Sequence, residues 1–344
     1  MKKCLLFLVS CLFFISGQTQ TVSYSFTENN PYRYNYHFNL RLFDVDYANK
    51  QSLYLGYSLQ GNVAFRKLFS AEFLWSHRYG PGMDFNYHFA AETVYQTVTT
   101  NKPTGYQAFE LGGMFHVKDR VVTRNRKVVL SSSGGRRSGT TVTKYIRVPA
   151  EVRSITAIRG GLYHNAFAIT DQDHGSLQNG IPGVGDGGVI ASDGTRFGAA
   201  VNDYQSIFYN TKAVTNMNIN GVYLGLAKAE YYNVSIDPSG YGEKSSRTYF
   251  RLYADVILAA PIIQDFKGID GKTYKVQGGG AQGFETRPLG ARIGYDIVRF
   301  GKALAFNAHT EVGVKPGFKR HNYFLGVGFG FTFRGKIKAI SPKE

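Results

Sequence analysis

Cysteine is nearly absent. The 344 residues hold two, Cys4 and Cys11, both in an N-terminal segment that reads as a leader. The rest of the chain therefore has no disulfide framework, no thiol nucleophile and no zinc site built on thiolates. Tryptophan occurs once. Beyond the leader, no stretch approaches the ~18 apolar residues with which a helix crosses a bilayer, so helical membrane anchoring is excluded there. Acidic residues are also few, 24 against 40 Lys and Arg, for a formal charge of +16. Abundance lies elsewhere, in 24 Tyr, 26 Phe and 40 Gly. Many aromatics and glycines without long apolar runs point to β structure and away from a helical bundle.

Residues 1–17 have the layout of a signal peptide: Lys2 and Lys3, an apolar run from Leu5 to Ile15, then the small pair Ser16 and Gly17. A rival reading takes Leu8-Val9-Ser10-Cys11 as a lipobox. It leaves a short apolar region and sets Leu12 to Ile15 directly after the anchor, where polar residues are expected. Either way the chain is exported.

Reading every second residue gives the strongest signal. Over 321–334, Tyr323, Leu325, Val327, Phe329, Phe331 and Phe333 fall on one face, with Asn322, Gly326, Gly328, Gly330, Thr332 and Arg334 on the other. Leu304, Phe306, Ala308, Thr310, Val312 and Val314 likewise oppose Asn307, His309 and Glu311. Segments 53–65 and 32–42 repeat the rule, the latter with Tyr32 to Leu42 against Arg33, Asn35, His37, Asn39 and Arg41. Weaker versions occupy 69–78, 106–117, 152–163, 217–234, 249–260 and 289–299. The expected fold is all-β, an antiparallel barrel of about ten strands, with eight to twelve compatible, spanning 18–333. Each strand is near the ~9–11 residues that cross a bilayer at a tilt. Alternation alone also fits a soluble barrel with its apolar face inward. Three features favour a membrane: charges mixed with glycine on the polar face, Tyr and Phe near strand ends, and connections that alternate short and long.

On these residues the chain resembles the Gram-negative outer-membrane β-barrel proteins over roughly 32–333. The resemblance implies an outer-membrane location, contact with lipid and lipopolysaccharide, and a last strand read by the assembly machinery, for which Gly328, Phe331 and Phe333 are the matching residues. A basic tail, 334–344, follows that strand.

Inward positions would then be Arg33, His37, Arg41, Glu72, Glu110, His116, Arg153, Arg159, Arg251, Asp255, Arg292, Asp296, His309 and Glu311. Strands 249–260 and 289–299 should be antiparallel neighbours, and one register sets Arg251 against Asp296 and Asp255 against Arg292. Such charge either lines an ion path or forms a salt-bridged plug, and a ten-strand barrel leaves room for little besides a plug.

Segment 118–150 carries Lys118, Arg120, Arg124, Arg126, Lys127, Arg136, Arg137, Lys144 and Arg147 against Asp119 alone. It reads as a hairpin extending strands four and five past the membrane. Arg124, Arg126, Lys127, Arg136 and Arg137 are its candidate contacts to an acidic envelope protein or to lipid phosphate; nucleic acid is not expected outside the cell. The Gly- and Asp-rich loop 166–215 holds Asp171, Asp173 and His174, adjacent rather than assembled from several strands. Its spacing does not match a calcium loop, and no metal, cofactor or hydrolase motif stands out. The reading is a non-enzymatic outer-membrane barrel, a structural or accessory subunit of an envelope assembly, secretion or uptake complex. A narrow porin-like channel is the alternative, and a rim hydrolase or a soluble secreted barrel follow behind.

Overall fold

The structure is a computed structural model and describes residues 22–48, 52–65, 67–91, 96–97, 99–134, 141–170, 189–190, 196–197, 211–212, 214–269, 271–274, 286–301, 305–318 and 323–337. The leader, the tip of the basic hairpin with Arg136 and Arg137, the cluster Asp171, Asp173 and His174, and the end of the tail lie outside the described residues.

Ten strands close on themselves. They are β2 (Tyr36–Ala48), β3 (Ser52–Phe65), β4 (Phe69–Arg78), β5 (Gln107–Gly134), β6 (Thr141–Thr170), β7 (Val214–Pro238), β8 (Lys244–Ile263), β9 (Leu289–Phe300), β10 (Ala305–Val314) and β11 (Tyr323–Gly335). Each pairs antiparallel with its neighbour, β11 returns to β2, and no edge is left in the wall. A further strand, β1 (Tyr24–Asn29), pairs with the far end of β7 at Val234–Pro238. A short helix, α1 (Phe85–Ala91), sits in the connection between β4 and β5, its Ala90 packed against Ala168 and Val214.

Alternation decides the orientation of every strand. On β7, Val222, Leu224 and Leu226 face out, the last two 65% exposed, while Tyr223 and Ala227 in the alternate phase are buried. Phe306, Val312, Phe329 and Phe333 are likewise exposed on the outer face, beside buried Asn307 and Thr332. An outer surface this apolar around a charged interior inverts the arrangement of a water-soluble protein. The outward faces therefore meet hydrocarbon, and a soluble barrel is ruled out on that ground.

The strand ends sort the two sides. Three connections at one end are brief, 66–68, 239–243 and 301–304, while 79–106, 171–213 and 264–288 lie at the other. Short turns mark the periplasmic side of such barrels. The β5–β6 hairpin is the exception, its strands reaching 28 and 30 residues. Three differences from the alternation reading are local. β2 begins at Tyr36 rather than at residue 32. It also carries a bulge, because Arg41 faces Ser58 while Asp44 faces Gly56, so Leu42 and Phe43 both point outward. A second bulge, at Val117, lets β5 leave the wall.

Candidate functional site

The lumen is built in three layers. Nearest the short turns, Met114, Ile155, Ala157, Tyr249, Val298 and Phe300 form an apolar layer. Toward the long loops a second one joins Tyr54, Tyr106, Tyr163, Phe167, Met217, Ile219 and Ile257. Between them lies charge. Arg41, Arg159, Arg251 and Arg292 face Glu72, Glu110, Asp255, Asp296 and Glu311, with His309 among them.

The ladder sets this layer up. On β8 and β9, Arg251 stands opposite Asp296 and Asp255 opposite Arg292. Arg251 grips Asp296 with two nitrogens, at 2.9 and 2.6 Å, and also bonds Glu72. Arg292 donates to Asp255 at 2.8 Å and doubly to Glu110 at 2.5 and 2.8 Å. From β6, Arg159 donates to Glu72 at 2.9 Å and bonds Asp255. Asp296 further accepts from Arg41 at 3.3 Å and lies 2.8 Å from the His309 ring nitrogen. Every member of this cluster therefore has a partner of opposite sign, the condition on which charge tolerates burial. Forked guanidinium contacts fix its geometry more tightly than single bonds would.

Two tyrosines lie inside the layer. Arg159 rests over the rings of Tyr223 and Tyr253, at 4.6 and 4.3 Å, and the Tyr253 hydroxyl donates to Glu311 at 2.5 Å. Gly294 makes room for Tyr253, since a Cβ there would sit 2.2 Å from that ring. Two voids among these groups are small, about 50 and 10 Å³, and the larger has room for a few ordered waters.

One charge expected in the lumen is placed differently. Arg33 precedes β2, is exposed, and pairs with Glu28 of β1 below the barrel. His37 points inward but lies under the charged layer, its ring 4.7 Å from Tyr249. Several lumen groups carried no charge to flag them: Gln60 accepts from Arg41 at 2.5 Å and Asn62 donates to Glu72 at 3.3 Å. Tyr253 was legible, since it shares the phase of Arg251 and Asp255. Asp46, which bonds Lys315, was hidden by the bulge that precedes it.

Below the membrane the chain builds a foot. The outward phase of β7 continues into Glu230, Tyr232, Val234 and Ile236, and the hairpin lies across it. Val128, Val148 and Ala150 pack on Val234 and Ile236 in a small separate core. Arg124 and Arg126 both pair with Glu230, at 2.7 and 2.8 Å, so they fasten the hairpin and are not free contacts. Lys127 and Arg147 stand opposite each other on the uncovered face, both exposed, beside exposed Val129 and Tyr145. Burial raises the Glu28 carboxyl, but the hydrogen bond from Arg33, with Asn233 and the charge of Arg247, outweighs it and holds the group below its ordinary value.

The closed ladder, apolar belt and charged interior define an outer-membrane β-barrel protein, because a closed barrel is the one sheet that leaves no backbone group unpaired in hydrocarbon. No family model matches the chain, and no curated protein does. Among solved structures it is similar to a monoaromatic hydrocarbon channel, the deltaS2S3 mutant of TodX, at 10% identity over 92% of this chain and 96% of that one, with a TM-score of 0.22. It is also similar to OmpT, an outer membrane protein of Vibrio cholerae, at 8% identity over 86% of this chain and 98% of the trimer-form chain, with a TM-score of 0.18. At such scores the class rests on the ladder and the belt.

Proposed function

We propose that this protein is a sealed, non-enzymatic barrel that anchors a docking foot to the outer membrane, as a structural or accessory subunit of an envelope complex. The observation that carries this reading is the lumen: a charged layer in which each side chain faces one of opposite sign, held between two apolar layers. Moving an ion through it would require breaking several buried pairs at once, each a several-kcal/mol cost (roughly 3–5). Reconstitution in planar bilayers tests the seal. The expected trace has no stable conductance steps, and a reproducible step would make the protein a narrow channel for small solutes.

The foot supplies the docking surface. Like charges directly opposite on a ladder destabilise it, so the Lys127 and Arg147 pair gains when an anionic partner arrives. An acidic envelope protein fits that face, with exposed Tyr145 as an apolar contact beside the charge. Photo-crosslinkers placed at Val129 and Tyr145 in living cells should capture a defined partner, and Lys127→Glu with Arg147→Glu should abolish the product. Capture that survives both charge reversals would remove the electrostatic basis of this reading.

A further inference from the structure

The outer wall is uneven where β2, β11, β10 and β9 run side by side. An open cleft of about 550 Å³ cuts into the apolar face there, within the ~300–1,000 Å³ range of small-molecule sites. Its floor and walls have separate causes. Ala308 stands in the ladder between Ile297 and Phe329, and its small side chain leaves a gap in a row of large ones. The β2 bulge turns Phe43 outward beside Phe329, with ring centroids 6.3 Å apart, and raises one wall. Phe306 and Phe331, 5.6 Å apart, make another.

At the cleft's periplasmic end stands Arg299. It belongs to the outward row, is exposed, and makes no hydrogen bond or ion pair among the described residues. An arginine beside hydrocarbon directs its guanidinium to the headgroup level. There it faces phosphate, which the guanidinium fork matches.

We propose that the cleft is a lipid site, holding one acyl chain of an anionic phospholipid of the periplasmic leaflet with its phosphate on Arg299. Inside a bilayer an apolar recess takes hydrocarbon and not water. The single charge on the cleft selects the headgroup, because no carboxylate lines it to receive the ammonium of a zwitterionic lipid. The proposal rests on the outer wall meeting hydrocarbon.

Native mass spectrometry of the detergent-folded protein, given equal phosphatidylglycerol and phosphatidylethanolamine, tests it. Folding is scored first by the shift in gel mobility on heating. The wild type should retain one phosphatidylglycerol about tenfold over phosphatidylethanolamine. Arg299→Gln should remove that preference, and Ala308→Phe, which fills the floor, should lower retention of both lipids. Equal retention of the two lipids by the wild type, or unchanged phosphatidylglycerol retention in both variants, would overturn the lipid site alone. A chain that stays folded and monodisperse without detergent would overturn the wall's contact with hydrocarbon, and the site with it.

Discussion

Arg251 illustrates what a buried charge demands of its neighbours. It holds Asp296 and Glu72 at once, so Arg251→Met leaves Asp296 to Arg41 and His309 and Glu72 to Arg159, and should cost about 3 kcal/mol, the low end for a broken buried pair. Thermal unfolding of the detergent-folded barrel measures this. The double variant Arg251→Met with Asp296→Leu should recover part of the loss, because apolar groups replace the pair at little cost while Arg41 gives up its carboxylate and keeps Gln60 and Ser58; a double variant no better than the single one would contradict it. Gly294 is a steric counterpart. Gly294→Val pushes into the Tyr253 ring and should lower stability by about 1–3 kcal/mol, together with loss of the Tyr253 contact to Glu311. Charged lumen residues were legible because period two places charge on one face. Their neutral partners, Gln60 and Asn62, were not, since an amide on a strand reads equally well as solvated surface.

The foot is where local pattern stops predicting. Val128, Val148, Val234 and Ile236 occupy the same outward phase as lipid-facing residues, yet each is buried, because the hairpin folds across β7. No alternation rule contains that fold-back, which begins past the bulge at Val117. Val148→Asp buries an unpaired charge in this small core and should release the hairpin. Trypsin would then cut at Lys127 and Arg147 faster than in the wild type, while the barrel keeps its heat-shifted mobility. Acid acts on the same element. With the Glu28 carboxyl held below 4.5 in the folded protein, its contribution is full above that value and is lost as pH falls through the depressed one. Protection of the β1 amides, taken relative to the intrinsic exchange rate at each pH, should fall on acidification while that of β8 and β9 stays high. Glu28→Gln should flatten that dependence.

Across the molecule, strand number, order and inward face followed from residues read two at a time, because a barrel wall between lipid and lumen imposes one rule along its whole length. The apolar layers of the lumen did not follow from alternation, since inward residues such as Met114, Ile155 and Phe167 break the polar face that alternation leads one to expect. The N-terminal strand adds a question of timing. Among the described residues β1 finds its ladder partner, Val234–Pro238, some two hundred residues downstream, beside the point where β6 and β7 part. Its docking therefore depends on the far end of β7, and because contacts so distant in sequence form late, protection of β1 should appear after that of the wall strands during refolding.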